Sequence, residues 1–150
     1  LDGRPYCRMN AGEIASKVGL TFQNAALHLS RGTVREEFAL AERWGRTAWR
    51  WAEVFGLDRM LDMHPLELTR AGMKRLATAL AAGGNPDMII LDEPSQYQDD
   101  GGFRMLVEGI GLIAAGGTAV LVITHDPRLH AAFPAASRVP VGGHPQGGMS

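Results

Sequence analysis

Met88-Ile89-Ile90-Leu91-Asp92-Glu93-Pro94, read as MIILDEP, is the stretch on which the fold turns. An apolar run over 87–91, bounded by a turn signal at Asn85-Pro86 and closed by Pro94, suits a central strand of a parallel sheet, buried on both faces. Two adjacent carboxylates at the tip of such a strand are costly without a purpose. Side chains alternate along a strand, so Asp92 and Glu93 are expected to point to different places. One can orient a magnesium ion, directly or through its waters, while the other sits beside an attacking water. Phosphoryl transfer to water needs that division of labour. The plainer alternative is a buried strand followed by a solvated turn with incidental acids.

Toward the C-terminus, a helix is predicted over 102–115, a turn at Gly116-Gly117, and a second buried strand over 118–124. That strand ends in His125-Asp126-Pro127. His125 follows Glu93 by about thirty residues, enough for one helix and a return to a parallel neighbour. Two tips on one sheet edge bring His125 near the carboxylates, where an imidazole can hydrogen-bond a terminal phosphate and hold the geometry of glutamate and water. By itself a histidine after a strand reads as a surface or capping residue. A short helix over 128–132, an edge strand over 139–141 and a flexible glycine-rich tail over 142–150 complete this side.

Toward the N-terminus, a helix begins near Thr69 and runs through Lys74, Leu76 and Leu80 to Gly83-Gly84. A connector over 62–68 holds Pro65. TVREEFALAERWG, 33–45, reads as a helix: Thr33 and Glu36 match a capping box, and Val34, Phe38 and Ala41 share a face. A further helix over 46–55 offers Trp49, Ala52 and Val54 to the core and ends at Gly56. KVGLTF, 17–22, reads as a strand entering a loop at Gln23 and Asn24. Strands alternating with helices give an α/β architecture with a parallel sheet, whose ligands bind at the carboxyl ends of the strands. Gln23, Asp92, Glu93 and His125 all collect at those ends.

The bulk numbers bound the reading. At 150 residues the chain is one domain or part of one, and 45% hydrophobic content is ordinary for a folded protein. A net charge of −1 supplies no field for nucleic acid. Cys7 is the only cysteine, which excludes an internal disulfide and a cysteine-based metal cluster. The apolar runs are too short to span a membrane, and no signal-peptide pattern opens the chain. The chain begins at Leu1 rather than methionine, from which a reading frame starting earlier is expected.

The ordered set FQN, then His64-Pro65 with Leu68 opening a helix, then LDEP, then THD resembles the ABC ATPases. GLTFQN followed by TVREEFAL is most similar to the energy-coupling-factor and cobalt-type importer ATPases. The resemblance covers nearly everything from Val18 to Asp126. It implies a P-loop NTPase-like parallel sheet with helices on both faces plus an ABC-type helical subdomain, with the N-terminal part of the domain absent. The subdomain would occupy about 33–82, the catalytic core 1–32 and 83–141. Gln23 would be the Q-loop glutamine, touching magnesium and the water; Asp92 would be the Walker B aspartate and metal ligand. Glu93 would be the catalytic glutamate, His125 the switch histidine, and Asp99 the D-loop aspartate at a dimer seam. The plainer readings of Gln23 and Asp99 are a polar loop residue and a helix N-cap. ATP and Mg2+ are the implied cofactors. A second ATPase subunit, identical or different, and a transmembrane subunit are the implied partners. The implied location is the cytoplasmic, inner face of the membrane.

The chain departs from the family in three places. Leu68-Thr69-Arg70-Ala71-Gly72 stands where the family carries L-S-G-G-Q, the segment that would contact nucleotide. Thr69 can replace serine as cap and phosphate donor, but two glycines that let a backbone approach phosphate are lost, and Arg70 either grips a phosphate or blocks it. Ser95-Gln96-Tyr97-Gln98 replaces a small-residue pattern. G-x-x-x-x-G-K-[ST] occurs nowhere: Lys17 and Lys74 are the only lysines and neither follows a glycine. Leu1-Asp2-Gly3 resembles the strand turn that follows this loop in the family, so a piece of a longer reading frame is the economical expectation. Two readings stand: an ATPase subunit energising uptake of a metal ion or vitamin, and a degenerate, non-hydrolysing partner; on the first, the surface over 33–51 with Trp44, Trp49 and Trp51 could form a partner groove, though packing of those tryptophans within the helical subdomain is the favoured reading. A DNA-repair ATPase is excluded, because 24–68 is too short for a coiled-coil insertion.

Overall fold

The computed structural model describes residues 9–43 and 48–139. Three strands form a parallel sheet in the order β1 (Val18–Thr21), β2 (Met88–Asp92), β3 (Ala119–Ile123). Val18 lies opposite Met88 and Thr21 opposite Leu91; Met88 lies opposite Ala119 and Asp92 opposite Ile123. This register brings the carboxyl ends of all three strands to one edge, as the sequence leads one to expect.

Helix α1 (Ala11–Lys17) leads into β1; the sequence reading assigned it no element. Its signal was present: Asn10 and Glu13 form a capping box, with Asn10 Oδ1 accepting from Glu13 N at 2.9 Å and Glu13 Oε2 accepting from Asn10 N at 2.8 Å. Helix α2 (Val34–Arg43) begins after Thr33, whose hydroxyl accepts from Glu36 N at 3.1 Å, and buries Val34, Phe38 and Ala41. Helix α3 (Arg50–Val54) is shorter than the predicted 46–55; residues 46 and 47 lie outside the described residues. It turns off at Gly56, whose positive φ of 62° suits a residue without a Cβ.

Helix α4 (Arg70–Gly83) is capped by Thr69 and packs against α3, β1 and β2. Gly83 permits the approach to the segment before α3: a Cβ there would lie 2.5 Å from the Cα of Ala48. Helix α5 (Asp100–Ala115) starts two residues earlier than predicted, because Asp99 caps it, and packs on β3; α6 (Pro127–Ala132) follows Asp126. The core is continuous from the helical region into the sheet, with Phe38, Phe55, Leu57, Leu76, Ile89, Leu91 and Leu106 fully buried.

One expectation needs correction. Strand β3 is not buried on both faces: it is an edge of the described sheet, and Leu121 and Ile123 are each 47% exposed. One neighbouring strand and one covering helix, α5, leave its second face bare among the described residues. Of the two readings of the tryptophans over 33–51, the described ones follow the favoured, packed one. Trp51 is buried beside Phe55, and partly buried Trp49 stacks on Phe38 at 5.1 Å. They pack the helical region; Trp44 lies outside the described residues, as does most of the predicted strand over 139–141 and all of the tail.

Candidate functional site: a carboxylate and histidine edge

Glu93 leaves β2 with a left-handed backbone, φ 47°. Strand alternation therefore does not set its direction. Its N–H donates to Ile123 O at 2.8 Å, extending the parallel ladder by one residue and turning the side chain toward the tip of β3. Both carboxylate oxygens are engaged there. Oε1 lies 2.6 Å from His125 Nδ1, and Oε2 accepts from the Thr124 hydroxyl at 3.1 Å. The Glu93 side chain is 16% exposed and that of His125 is 86% exposed, so one partner is fixed and the other stands in solvent.

Thr124 is a residue that sequence reasoning passed over. Its hydroxyl also accepts from Asp126 N at 3.0 Å, so one side chain ties the turn after β3 to the glutamate after β2. Asp126 accepts from the guanidinium of Arg128, which holds its carboxyl down to about 2. Arg128 in turn lies over the Phe103 ring at 4.5 Å.

Gln23 is exposed in the loop after β1 and lines a cleft of about 350 Å3 with Asn24, Arg70, Lys74, Gln96 and Tyr97. That loop is closed by His28, whose Nε2 accepts from Phe22 N at 3.0 Å while its ring stacks on Phe22 at 4.7 Å. Burial lowers the His28 pKa, which favours the neutral acceptor form. A larger cleft of about 710 Å3, lined by His28 and by mostly small or apolar residues of α1, β1, α2 and α4, includes none of the carboxylates.

Around the N-terminus of α4, each residue of the altered signature has a partner in its own chain. Leu68 is buried. The Thr69 hydroxyl accepts from Gly72 N at 3.1 Å. Arg70 donates to the Tyr97 hydroxyl at 3.1 Å, with its guanidinium carbon 5.1 Å from the ring centroid. Ala71 O accepts from Gln98 Nε2 at 3.1 Å. Two departures from the family pattern, at 70 and 97, thus contact each other. Tyr97 has a φ of 69°, a strained setting for a bulky residue. Asp99 caps α5, accepting from Gly102 N at 2.7 Å.

The edge therefore joins Glu93 and His125 directly, with Asp92 immediately before Glu93 at the end of β2. It places Gln23 and Arg70 on a neighbouring cleft, and leaves Asp99 in a cap. A hydrogen-bonded carboxylate beside an exposed imidazole can orient a water and exchange a proton.

No protein-family model matches the chain. Over 149 residues, 94% of the chain, it is 32% identical to a putative ABC transporter ATP-binding protein of Methanosarcina acetivorans. It is 29% identical to a putative HMP/thiamine import ATP-binding protein of Bacillus subtilis, over 87% of the chain. It is 28% identical to an energy-coupling factor transporter ATP-binding protein of Mycoplasma mobile, over 76% of the chain. The chain belongs to the ABC ATPase family. It spans 24%, 24% and 40% of the lengths of these three relatives. The dimeric structure of an ATP-binding cassette bound to ADP and Pi superposes with a TM-score of 0.72 at 23% identity, covering 88% of this chain and 64% of that one. That likeness establishes the fold: this ABC ATPase chain carries the family's parallel sheet and helices.

Proposed function

We propose that this ABC ATPase chain is the portion of a nucleotide-hydrolysing transporter subunit running from the Q-loop to the switch histidine, and that the whole subunit energises import of a metal ion or vitamin. The contact of His125 with Glu93 at 2.6 Å, beside Asp92 on the carboxyl edge, carries the reading. Glu93 is the residue that orients the attacking water, because Thr124 and His125 already fix its carboxylate. His125 is exposed enough to turn from Glu93 to a phosphate oxygen.

Asp92 and Gln23 would hold Mg2+. Among the described residues no group of three or more His, Cys, Asp or Glu side chains is gathered for a metal. One carboxylate and one amide suit an ion that takes its remaining ligands from phosphate and water. Mg2+ and ATP, when bound, supply the phosphoryl group and neutralise its charge. The implied partners remain a second ATPase subunit, with Asp99 and residues 68–72 at the seam, and a membrane subunit near Gln23. The proposed location is the inner face of the membrane. No helix among the described residues is long and apolar enough to cross a membrane. The import name of one relative supports the direction.

One observation favours the second reading, a non-hydrolysing partner. Arg70 is held on Tyr97, and Arg70 and Ala71 stand where the family carries its two glycines, so the signature presents no glycine backbone at those positions. Both readings share one expectation. These 150 residues contain no lysine-bearing phosphate loop, so the isolated chain binds Mg-ATP at about millimolar affinity or weaker. Isothermal titration calorimetry checks this, and a dissociation constant below about 10 μM would overturn it.

A further inference from the structure

Three non-glycine residues have a positive φ among the described residues, and two of them, Glu93 at 47° and Tyr97 at 69°, stand at the two ends of one short segment. The third, Asn85, is of a type that tolerates this region; a tyrosine is not. Packing does not explain Tyr97, which is 53% exposed. Such strain persists only where the surroundings over-determine the backbone. Here they do. The Tyr97 hydroxyl accepts from Arg70 at 3.1 Å, the guanidinium carbon lies 5.1 Å from the ring centroid, and the next residue, Gln98, donates from Nε2 to Ala71 O at 3.1 Å. We propose that Arg70 and Tyr97 are a positioning pair for Glu93: their contact pins the far end of the segment that carries the glutamate, and so couples the altered signature to it within one chain. The proposal rests on the reading of Glu93 as the catalytic glutamate.

The segment is built to carry a constraint from one end to the other. Gln96 N donates to Glu93 O at 3.2 Å and Gln98 N to Ser95 O at 3.1 Å, so two overlapping turns leave little slack between Glu93 and Tyr97. The middle is fixed too: Ser95 is buried, and its hydroxyl hydrogen-bonds the Asp126 carboxyl. At the other end the left-handed backbone of Glu93 aims its carboxylate at Thr124 and His125. Relaxation of that φ toward the ordinary region turns the carboxylate away from both. Of the two ties to the signature, Arg70 on Tyr97 is the stronger, because it adds a charged donor and a cation over a ring to a plain hydrogen bond. Gln98, 7% exposed, contributes one neutral bond and leaves its Oε1 without a partner.

Three-bond NMR couplings about the Glu93 Cα–Cβ bond read the effect directly on the 150-residue chain, with the methyl resonances of buried Leu76 and Leu106 checking that each variant is folded. The native chain and Arg70→Lys are expected to hold Glu93 in one side-chain rotamer, and Arg70→Ala and Tyr97→Ala to show averaging among rotamers. Steady-state ATP hydrolysis by the polypeptide of the whole reading frame gives the functional arm. Arg70→Ala and Tyr97→Ala are each expected to lower kcat about tenfold, Tyr97→Ala with KM for ATP within about twofold of native. The double variant is expected to fall by about the same tenfold rather than about 100-fold, because its second change removes a contact already lost. A single Glu93 rotamer in folded Tyr97→Ala, averaging already in the native chain, or kcat effects that multiply would overturn the proposal. A native whole subunit without ATP turnover would instead overturn the hydrolytic reading, and the couplings would then decide the pair alone.

Discussion

Asp126 shows how a single residue couples the site to solution conditions. Its carboxyl accepts from Arg128 N at 2.9 Å and from the guanidinium at 2.9 Å, and its pKa falls from 3.8 to about 2. A folded-state pKa below the unfolded one means that the pair stabilises the fold fully above pH 3.8. That contribution is lost as pH falls through about 2. Arg128→Ala should raise the Asp126 titration back toward 3.8, read by carbon NMR of the carboxyl; an unmoved midpoint would contradict the assignment. At this scale the sequence was informative wherever residues met through strand register. Asp92, Glu93 and His125 could be placed together because two apolar runs of matched length imply adjacent tips. Arg70 on Tyr97 was not legible. The contact spans 27 residues and depends on a positive φ that a tyrosine does not advertise. Lys74 reads as one more residue of an amphipathic helix until its partner, a backbone carbonyl, is seen.

Among the elements, the loop after β1 carries the sharpest expectation. His28 is half-buried beside uncharged residues: the cleft it faces is lined by Gly12, Ala15 and Ser16 of α1, with further apolar residues of β1, α2 and α4. Its folded pKa lies below the usual 6.5, so the unfolded chain takes up the proton first. The loop is most stable above about pH 6.5, and that stability declines as pH falls below it. Protonation at Nε2 also removes the acceptor for Phe22 N–H. Exchange of the Phe22 amide, corrected for intrinsic rate, should therefore quicken below pH 6.5 in the native chain and lose this pH dependence in His28→Asn. A flat profile in the native chain would sink the idea. Helix α2 was legible from its capping box and apolar face. Helix α1 carried the same box at Asn10 and Glu13, but its face buries no residue, so no hydrophobic period flagged it. The exposure of β3 was illegible because AVLVI does not alternate, and a continuous apolar run looks identical whether one or two faces are covered.

For the whole molecule, the order of elements along the chain was enough to give the parallel sheet and the edge where its polar residues gather. The central place of β2 was read from its apolar run; which strands flank it, β1 and β3, needed the structure. So did the finding that the signature region is tied to the segment after β2 through Arg70–Tyr97 and Ala71–Gln98. These ties bear on whether the two halves of a composite site still work. The central claim is that Glu93, held by Thr124 and His125, is the residue on which hydrolysis depends. The most direct test is steady-state ATP hydrolysis with Mg2+ by the polypeptide of the whole reading frame, native against Glu93→Gln. The account predicts measurable turnover in the native subunit and a fall of about 100-fold or more in Glu93→Gln, with nucleotide still bound. Turnover that survives Glu93→Gln unchanged would contradict it.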